Sequence, residues 1–370
     1  MPMKIILPSE NSNSGQPAVI KVIGVGGGGS NAVNRIIAAN VTGVEFVAVN
    51  TDIQALRGST APVRVQIGEK TAKGRGGGGD PVVGQKAAEE SEDILRETVK
   101  GADMVFVAAA MGGATGTGAA PVIAEIARSE GILTIGIVTK PFEWEEKPKM
   151  DIAEEGIKKL RDYTDALIVI PNERVFNVVD PIMPWNVLYE FIDGILRQSV
   201  QAITDVITQA GEINVDFADV KNILASSGTA LIGIGESSVS GDVREAVKKA
   251  ITSPLLGDID ISLAGKMLVH ITANANLSVG QFKEITDTIK DFGMQGHIKY
   301  GQRTDNRIDD KIKVIIIATG FKDENSQDNI KPGQRTFSLD DVPAPKSSSG
   351  LEEIDFSKPA YTYWKAKKLK

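Results

Sequence analysis

The residues best suited to chemistry in this chain lie in a glycine-rich segment at 112–118, which reads GGATGTG. The segment follows an apolar run at 104–109 and precedes an amphipathic run at 119–128. A glycine-rich turn between a strand and a helix directs backbone N–H groups and the helix N-terminus at a bound anion. Thr115 and Thr117 add hydroxyl donors, so the segment predicts a phosphate site. A flexible glycine loop without a ligand is the alternative that the segment alone leaves open.

Another glycine-rich turn lies earlier in the chain, at 24–29 (GVGGGG), after the strand-like run 18–23 (AVIKVI), so 24–29 is the first glycine loop and 112–118 the second. We expect a helix over 30–39 that begins at Ser30, because a serine side chain can cap a helix N-terminus. Glycine allows positive φ and close approach of the backbone to a ligand. The predicted phosphate contacts of this turn come from five consecutive residues: Gly27, Gly28, Gly29, Ser30 and Asn31.

The turn at 24–29 also fits the GxGxxG pattern of dinucleotide-binding folds, with Asp52 near the usual place of the ribose-binding acid. That pattern alone is weak support for an NAD-dependent oxidoreductase. A third glycine cluster, 74–79 (GRGGGG), has no place in a standard dinucleotide fold. Three such loops indicate turns that converge on one polyphosphate. The P-loop pattern GxxxxGK[ST] is absent from the sequence, which excludes the P-loop NTPases.

Composition and charge exclude several classes of protein. With 370 residues, 42% of them hydrophobic, the chain can form two domains with real cores. A net charge of −7 argues against nucleic acid as a partner. No cysteine is present, so disulfides and thiolate chemistry are excluded. The two histidines, His270 and His297, lie in strand-like stretches and are expected to be structural rather than catalytic or metal-binding.

The hydrophobic pattern predicts an α/β protein. Apolar runs alternate with helical stretches up to about residue 180, which indicates a parallel sheet covered by helices on both faces. The predicted strands there are 18–25, 44–49, 104–109, 132–138 and 167–171. A long amphipathic helix is expected at 185–209. A smaller mixed sheet should follow, with strands at 231–235, 267–273, 297–302 and 314–319 and helices at 242–252 and 279–292.

The order of these motifs resembles the FtsZ family, the tubulin-like GTPases of bacterial cell division. The segment 112–118 is similar to the family signature GGGTGTG, and 50–52 (NTD) stands between the first and second glycine loops as in the family. Further segments resemble the family in the same order: 139–142 (TKPF), 171–172 (PN) and 214–220 (NVDFADV). The similarity extends from about Ile20 to Phe321 and implies the tubulin/FtsZ fold, with a Rossmann-like GTPase domain, a central helix and a smaller α/β domain.

The resemblance implies six regions. They are a disordered N-terminal tail at 1–17 that is no signal peptide, a nucleotide-binding GTPase domain at 18–184, a central helix at 185–211, an activation loop with a C-terminal α/β domain at 212–321, a disordered linker at 322–351 and a partner-binding peptide at 352–370. The linker is rich in Ser, Pro, Asp, Gln and Gly, which bury too little surface to become ordered. The last region combines aromatic residues with four lysines near its end.

The resemblance also implies a site for GTP or GDP. Besides the residues of the first turn, the implied contacts are Ala114, Thr115, Gly116, Thr117, Glu145, Lys149, Asn172, Tyr189 and Asp193. Asp193 would accept hydrogen bonds from the guanine N1–H and amino group, a donor pair that adenine lacks. Tyr189, one turn earlier, would stack on the base. Without the resemblance, Asp193 reads equally as a solvated acid on an amphipathic helix.

Four positions depart from the family pattern, and one of them is Tyr189, which stands where the family commonly has a stacking phenylalanine. Ala110 and Ala114 stand where the family usually has glycine, and alanine resists positive φ. If position 114 needs that conformation, phosphate binding should weaken. Lys149 stands where the family has the arginine of a Glu/Arg pair that contacts ribose and phosphate. Lysine keeps the positive charge but loses the bidentate fork, which should soften sensing of the γ-phosphate.

Asp216 and Asp219 are the implied catalytic pair. Their spacing of three residues puts them on one side of a helical turn. An acidic first turn favoured by the helix dipole is the alternative that the residues themselves leave open. The resemblance implies that the two carboxylates act on the nucleotide of the adjacent subunit, where they position and polarise water, while Mg²⁺ neutralises developing charge. No side chain is assigned as a metal ligand.

The expected function is therefore that of a cytoplasmic GTPase that polymerises head-to-tail and forms the cytokinetic ring at the division septum. No apolar run approaches the length needed to span a bilayer, so membrane-tethering division proteins would bind the peptide 352–370. Direct adsorption of that basic, aromatic peptide on anionic lipid is the competing idea. A weakly hydrolysing paralogue that serves as a structural filament partner is the runner-up function, and an NAD-dependent oxidoreductase is the third.

Overall fold

The structure is a computed structural model that describes residues 18–321 except 178, 180, 181, 210, 254–259, 294 and 295. The predicted tail at 1–17, linker at 322–351 and peptide at 352–370 lie outside the described residues. No helix in the described ranges is long and apolar enough to cross a bilayer.

The first half of the described chain alternates strands with helices. Its strands are β1 (Ile20–Val25), β2 (Glu45–Asn50), β3 (Val63–Gln66), β4 (Met104–Ala110), β5 (Leu133–Lys140) and β6 (Ala166–Pro171). Its helices are α1 (Gly26–Ala38), α2 (Ile53–Arg57), α3 (Pro81–Glu90), α4 (Glu92–Val99), α5 (Ala114–Ser129) and α6 (Lys147–Tyr163). The central strands β4 and β5 are mostly apolar and buried because helices cover both faces of this sheet.

The parallel strands lie in the order β3-β2-β1-β4-β5-β6. This order reverses direction between β1 and β4, and ligands of doubly wound sheets bind at such a switch point, beyond the carboxyl ends of the strands. The loops that follow β1 and β4 are the first and second glycine-rich turns. The topology therefore places the two loops that the sequence singled out beside each other.

The second half continues the sheet with mixed strand directions. Its strands are β7 (Gly228–Ser238), β8 (Lys266–Ala273), β9 (His297–Thr304) and β10 (Lys311–Thr319), in the order β7-β10-β8-β9. Its helices are α7 (Trp185–Thr208), α8 (Phe217–Leu224), α9 (Arg244–Ile251) and α10 (Val279–Asp291). Strand β10 is antiparallel to both neighbours, whereas β8 and β9 are parallel. The mixed sheet was predicted; its junction with the parallel strands, two residue pairs between β6 and β7, was not.

Helix α7 is the long central helix that the periodicity predicted. Its apolar stripe, which includes Leu188, Ile195 and Ile203, is buried. These residues share one hydrophobic core with strand residues from both halves of the chain, such as Ile168 of β6 and Ile317 of β10. Ser199, also on the stripe, is buried and donates its hydroxyl hydrogen to the carbonyl of Ile195 at 3.0 Å. Phe191 of the same helix is 38% exposed. The buried residues of helix α7 therefore tie the two halves together.

Two helix starts differ from the prediction. Helix α1 begins at Gly26 rather than Ser30, and α5 begins at Ala114 rather than 119. The expected capping role of Ser30 is wrong, because Ser30 is buried inside α1 and Val25 occupies the cap position. The glycines belong to the helix because it starts against the sheet: a Cβ atom on Gly29 would lie 2.3 Å from the carbonyl oxygen of Ala108.

Candidate functional site

The three glycine-rich loops meet beyond the ends of β1 and β4. A Cβ atom added at Gly26 would lie 2.8 Å from the backbone nitrogen of Gly116, so the first and second loops touch. A Cβ atom at Gly77 would lie 2.5 Å from that of Ala114, which brings the third loop against the second. The sequence predicted this convergence; that the loops bind a polyphosphate stays a prediction.

Two helices begin in this crevice without a side-chain cap. The cap positions are Val25 for α1 and Gly113 for α5, and neither side chain makes a capping hydrogen bond. The first N–H groups of a helix have no partner within it, and the helix dipole adds partial positive charge there. Gly27 has open space where its side chain would be, with no atom within 4 Å. The two starts therefore offer N–H donors to an anion.

Two predicted contacts carry buried polar atoms without a partner. The hydroxyl oxygen of Ser30 and the side-chain carbonyl oxygen of Asn172 are buried, and neither has a hydrogen-bond partner within the described residues. Buried polar atoms are hydrogen-bonded in most proteins, so an unpaired one calls for an explanation. A bound polar ligand that hydrogen-bonds to Ser30 and Asn172 is one such explanation. Asn31 is exposed beside Ser30 on α1.

The threonines of the second loop already have partners. The hydroxyl groups of Thr115 and Thr51 lie 2.7 Å apart, which links the loop after β4 to the segment after β2. Thr117 is buried, and its hydroxyl oxygen accepts a hydrogen bond from the backbone N–H of Gly112 at 2.9 Å. Thr117 therefore closes the loop on itself. Because the oxygen accepts this bond, its O–H hydrogen is still available to donate, and a contact from this side chain to phosphate stays a prediction.

The alanines that depart from the family pattern sit in ordinary conformations. Ala110 ends β4 and Ala114 is the first residue of α5, and neither has a positive φ. The residue of the loop that does need glycine is Gly112, with φ of +99°. The methyl groups of the alanines fill space beside glycines, since a Cβ atom at Gly28 would lie 2.5 Å from that of Ala110. The expected weakening from backbone strain at 114 has no basis in this geometry.

Lys149 and Glu145 form an ion pair beside the second loop. Glu145 uses its other oxygen to accept from the backbone N–H of Phe142 at 3.0 Å, which fixes the carboxylate. The side chain of Lys149 lies against Gly112, where a Cβ atom would come within 2.8 Å of it. The pair therefore lies next to the second loop, and its contact with ribose and phosphate stays a prediction. The Lys149 side chain is 43% exposed and can turn toward an anion.

Three aromatic rings contact Phe142, and one of them is Tyr189, which is expected to stack on the base. Phe142 is buried and contacts the ring of Tyr189 edge-on, with centroids 6.2 Å apart. Its other ring contacts are Trp144 at 5.6 Å and Phe176 at 5.2 Å. Tyr189 and Trp144 are 39% and 54% exposed. An exposed face on Tyr189 suits stacking on a planar base.

Asp193 is joined to α1 by an ion pair that the sequence analysis missed. The Nε atom of Arg35 donates to a carboxylate oxygen of Asp193 at 2.8 Å, and only 15% of the Asp193 side chain is exposed. Burial raises the pKa of Asp193, while the Arg35 guanidinium acts in the opposite direction. The sequence pattern could not predict Arg35 as the partner of Asp193, because the two residues are 158 positions apart.

Asp216 and Asp219 cap the start of α8. Asp216 accepts from the backbone N–H of Asp219 at 2.7 Å, and Asp219 accepts from that of Asp216 at 3.4 Å, which is a capping box. Asp219 also pairs with Lys299 of β9, Nζ to Oδ2, at 2.8 Å. The alternative to catalysis, an acidic first turn that stabilises a helix, is therefore present in the molecule, because both carboxylates cap the start of α8. Asp216 is nonetheless exposed.

The predicted catalytic pair, Asp216 and Asp219, lies far from the glycine loops of its own chain. Lys299, which contacts Asp219, is on the edge strand β9, and β9 is seven strand spacings from β1 in the sheet order. At about 4.8 Å per spacing, that separation is on the order of 30 Å. The structure thus assembles the predicted nucleotide contacts around β1, β4 and α7, and leaves Asp216 and Asp219 apart from them.

Two observations bear on other chemistries. Asp52, the candidate ribose acid of the oxidoreductase alternative, caps α2 by accepting from the backbone N–H of Gln54 at 2.8 Å and of Ala55 at 3.3 Å. Its carboxylate is therefore engaged in the helix start. Across the ranges that the structure describes, no three acidic or histidine side chains are grouped so that they could hold a metal ion.

Comparisons with known proteins agree with this architecture. Residues 19–180 match the Tubulin/FtsZ family, GTPase domain, and residues 228–322 match the FtsZ family, C-terminal domain. The cell division protein FtsZ of Coxiella burnetii (strain RSA 493 / Nine Mile phase I) is 48% identical over 309 residues, which cover 83% of this chain and 80% of that protein.

Solved structures show the same fold. An empty FtsZ dimer from M. jannaschii superposes with a TM-score of 0.76 at 39% identity, covering 82% of this chain and 89% of the other. A GTPγS-bound protofilament of CetZ2 from Haloferax volcanii has a TM-score of 0.72 at 21% identity, covering 82% and 94%, which supports the fold alone. Because sequence and fold match over most of its length, the chain belongs to the FtsZ family of tubulin-like, GTP-binding cell-division proteins.

Proposed function

We propose that this chain hydrolyses GTP to GDP and phosphate only at the contact between two subunits of a head-to-tail filament. The observation that carries the proposal is the separation of Asp216 and Asp219 from the glycine loops, on the order of 30 Å by strand spacing. A single subunit cannot bring the two carboxylates to its own nucleotide across that distance. The next subunit can, if its α8 start docks over the crevice.

Binding of GTP would use the groups gathered at the switch point. The free N–H groups at the starts of α1 and α5 bind phosphate oxygens, and Lys149 adds positive charge beside them. Tyr189 stacks on the base, and Asp193 accepts from the guanine N1–H and amino group. Ser30 and Asn172 complete their hydrogen bonds with the nucleotide.

Hydrolysis would use the carboxylates of the neighbouring subunit. Asp216 and Asp219 orient and polarise a water molecule, whose oxygen attacks the γ-phosphorus while the bond to the β-phosphate oxygen breaks and GDP leaves. Mg²⁺ on the phosphate oxygens would supply charge neutralisation. Since no metal-binding cluster occurs among the described side chains, the ion would be bound largely by the nucleotide and water.

Repetition of this contact gives a filament. The surface that carries the crevice and the surface that carries α8 are different, so the contact is heterologous, and a rotation between subunits that does not close a ring extends it into a filament. The FtsZ of M. jannaschii, solved as a dimer, supports assembly of this kind. Ring formation at the division septum, and docking of tethering proteins on the peptide 352–370, belong to the same proposal.

A weakly hydrolysing structural paralogue is the second candidate. It is favoured by one observation: both carboxylates of the catalytic pair already cap α8, and Asp219 is also paired with Lys299. The ordinary conformations of Ala110 and Ala114 remove one reason for this alternative.

Phosphate release at saturating GTP, measured against protein concentration, separates the two candidates. Hydrolysis at a subunit contact should give a threshold and then growth steeper than linear, because each active site needs two chains. Asp193→Ala is the matched control, since it removes the base contact and should show no rise over the same range. Absence of phosphate release from the unaltered chain at every concentration would support the structural paralogue instead.

A further inference from the structure

Lys299 is the cation nearest to the proposed catalytic pair among the described side chains. Its Nζ atom lies 2.8 Å from Oδ2 of Asp219, and the two side chains are 36% and 27% exposed. Lys299 belongs to β9, whereas Asp219 belongs to the first turn of α8, so the contact joins two elements that are 80 positions apart at these residues. The backbone of Lys299 is fixed by pairing with Leu268 of β8.

The charges around this ion pair are few and defined. Asp216, at the same helix start, adds a second carboxylate whose field acts on Lys299. The hydrogen bond from Lys299 holds the pKa of Asp219 below its usual range, and the same bond raises the pKa of Lys299. The pair of carboxylates therefore carries one compensating positive charge, and Asp219 stays ionised at neutral pH.

The positive charge of Lys299 becomes important when α8 docks against a nucleotide of the neighbouring subunit. The proposed contact brings Asp216 and Asp219 toward a polyphosphate, and like charges in a partly desolvated contact repel one another strongly. A carboxylate placed beside phosphate also gains protons more easily, which would remove its ability to polarise water. An ammonium already bound to one carboxylate opposes both effects.

We propose that Lys299 is a positioning residue of the hydrolytic contact: it orients Asp219 and offsets the negative charge that the carboxylate pair brings to the phosphates of the neighbouring subunit. This inference rests on the proposed function. Its role is electrostatic, so it requires the positive charge and not merely a side chain of similar length. Arginine should replace Lys299, whereas glutamine and methionine should not.

The test compares Lys299→Met, Lys299→Gln and Lys299→Arg in the full chain. Lys249→Met is the matched control, because Lys249 pairs with Glu245 at the same 2.8 Å distance on α9 and its loss removes the same charge. Assembly with GTP is measured by sedimentation and hydrolysis by phosphate release, both at low and high salt and at about pH 7.5 and about pH 6. Affinity for GTP in dilute, unassembled protein reports correct folding of the nucleotide crevice.

We expect Lys299→Met and Lys299→Gln to raise the assembly threshold about three- to tenfold at low salt, with hydrolysis per assembled subunit falling further at the lower pH. Lys299→Arg should restore both quantities, and GTP affinity of the unassembled protein should not change. If Lys299→Gln assembles and hydrolyses as the unaltered chain does at both pH values, the charge has no role and the inference is wrong.

The Asp216→Ala variant separates failure of this inference from failure of the proposed function. If Asp216→Ala abolishes hydrolysis while the lysine variants are normal, only the role of Lys299 is lost. If Asp216→Ala still hydrolyses GTP, the shared site itself is wrong. If Lys299→Met fails to bind GTP, the role of the charge is tested by comparing Lys299→Gln with Lys299→Arg. Both side chains keep hydrogen-bonding groups, and they differ in charge.

Discussion

Asp193 connects the proposed base contact on α7 to α1, the helix that begins at the proposed phosphate site. It lies on α7, yet its carboxylate is bound to Arg35 of α1, the helix whose start forms the first glycine loop. Burial alone would favour the protonated acid, which could not accept two hydrogen bonds from guanine. The Arg35 guanidinium acts against this effect of burial and orients the carboxylate through the 2.8 Å contact. We therefore expect Arg35 to support guanine recognition through Asp193.

Replacement of Asp193 by asparagine should change base preference rather than simply weaken binding. An amide group donates where the carboxylate accepted, so affinity for GTP should fall about 100-fold. XTP, which carries a carbonyl at C2, should gain relative to GTP. Dissociation constants for GTP, XTP and ATP follow from fluorescence of Trp144, which lies beside Phe142 in the site. Glu190→Gln is the control, since Glu190 is 3.9 Å from Arg35 on the same helix as Asp193; unchanged selectivity in Asp193→Asn would contradict the assignment.

The candidate site could be predicted where its residues are neighbours in sequence. The glycine loops were recognisable because the spacing of small residues between a strand and a helix has a direct physical meaning. Arg35 and Lys299 were not, because each acts through a partner that only the tertiary fold brings close. Ser30 was misassigned for a related reason: the close approach of α1 to β4, which draws the glycines into the helix, is invisible in the sequence.

At the scale of elements, the start of α1 has one crowded glycine and one open glycine. A side chain at Gly29 would meet the Ala108 carbonyl oxygen at 2.3 Å, whereas Gly27 faces open space. Gly29→Ala should therefore cost about 1–3 kcal/mol of unfolding free energy through overpacking. Gly27→Ala should keep or slightly raise stability, because alanine is the better helix former, but weaken GTP binding. Thermal denaturation and GTP titration of both variants check this; equal loss of stability in the two would refute it.

Strand β8 contains a buried histidine that should make stability depend on pH. Burial, aided by Arg303 and Lys313, lowers the pKa of His270 from 6.5 to about 4. The folded state therefore resists protonation of His270. The contribution of this residue to the free energy of unfolding is complete above pH 6.5 and is lost as the pH falls toward 4. Between about pH 7 and pH 5 the loss amounts to roughly 2 kcal/mol.

Denaturant unfolding of His270→Gln across that pH range tests the assignment. The variant will lose packing at every pH, but its curve of stability against pH should be flatter than that of the unaltered chain by the same amount. Equal slopes for the two proteins would mean that another group causes the acid sensitivity.

The elements themselves were largely predictable, and the exceptions share a cause. Long apolar runs such as β4 and β5 are unambiguous because both faces are buried. Strand β3 was missed because it has four residues, two of them exposed, at the edge of the sheet. The junction of β6 with β7 was missed because two residue pairs leave no pattern in the sequence.

The whole molecule presents two chemical surfaces that cannot meet within one chain. The crevice between β1 and β4 gathers donors for an anion, whereas the exposed Asp216 lies at the far edge of the sheet, beyond the C-terminal strands. In the proposed mechanism, assembly alone regulates hydrolysis, because the proposed active contact exists only in the polymer. Peptide 352–370 lies outside the described residues, and its proposed role in tethering stays a prediction.

A mixing experiment tests the shared site most directly. Asp216→Ala should bind GTP normally but hydrolyse none, and Asp193→Ala should retain its carboxylate pair but fail to hold GTP. In an equal mixture about a quarter of randomly formed contacts combine an intact crevice with an intact Asp216, so phosphate release should return to a comparable fraction of the unaltered rate. If the mixture stays inactive although both chains co-sediment, or if Asp216→Ala alone loses its affinity for GTP, the site does not lie between subunits.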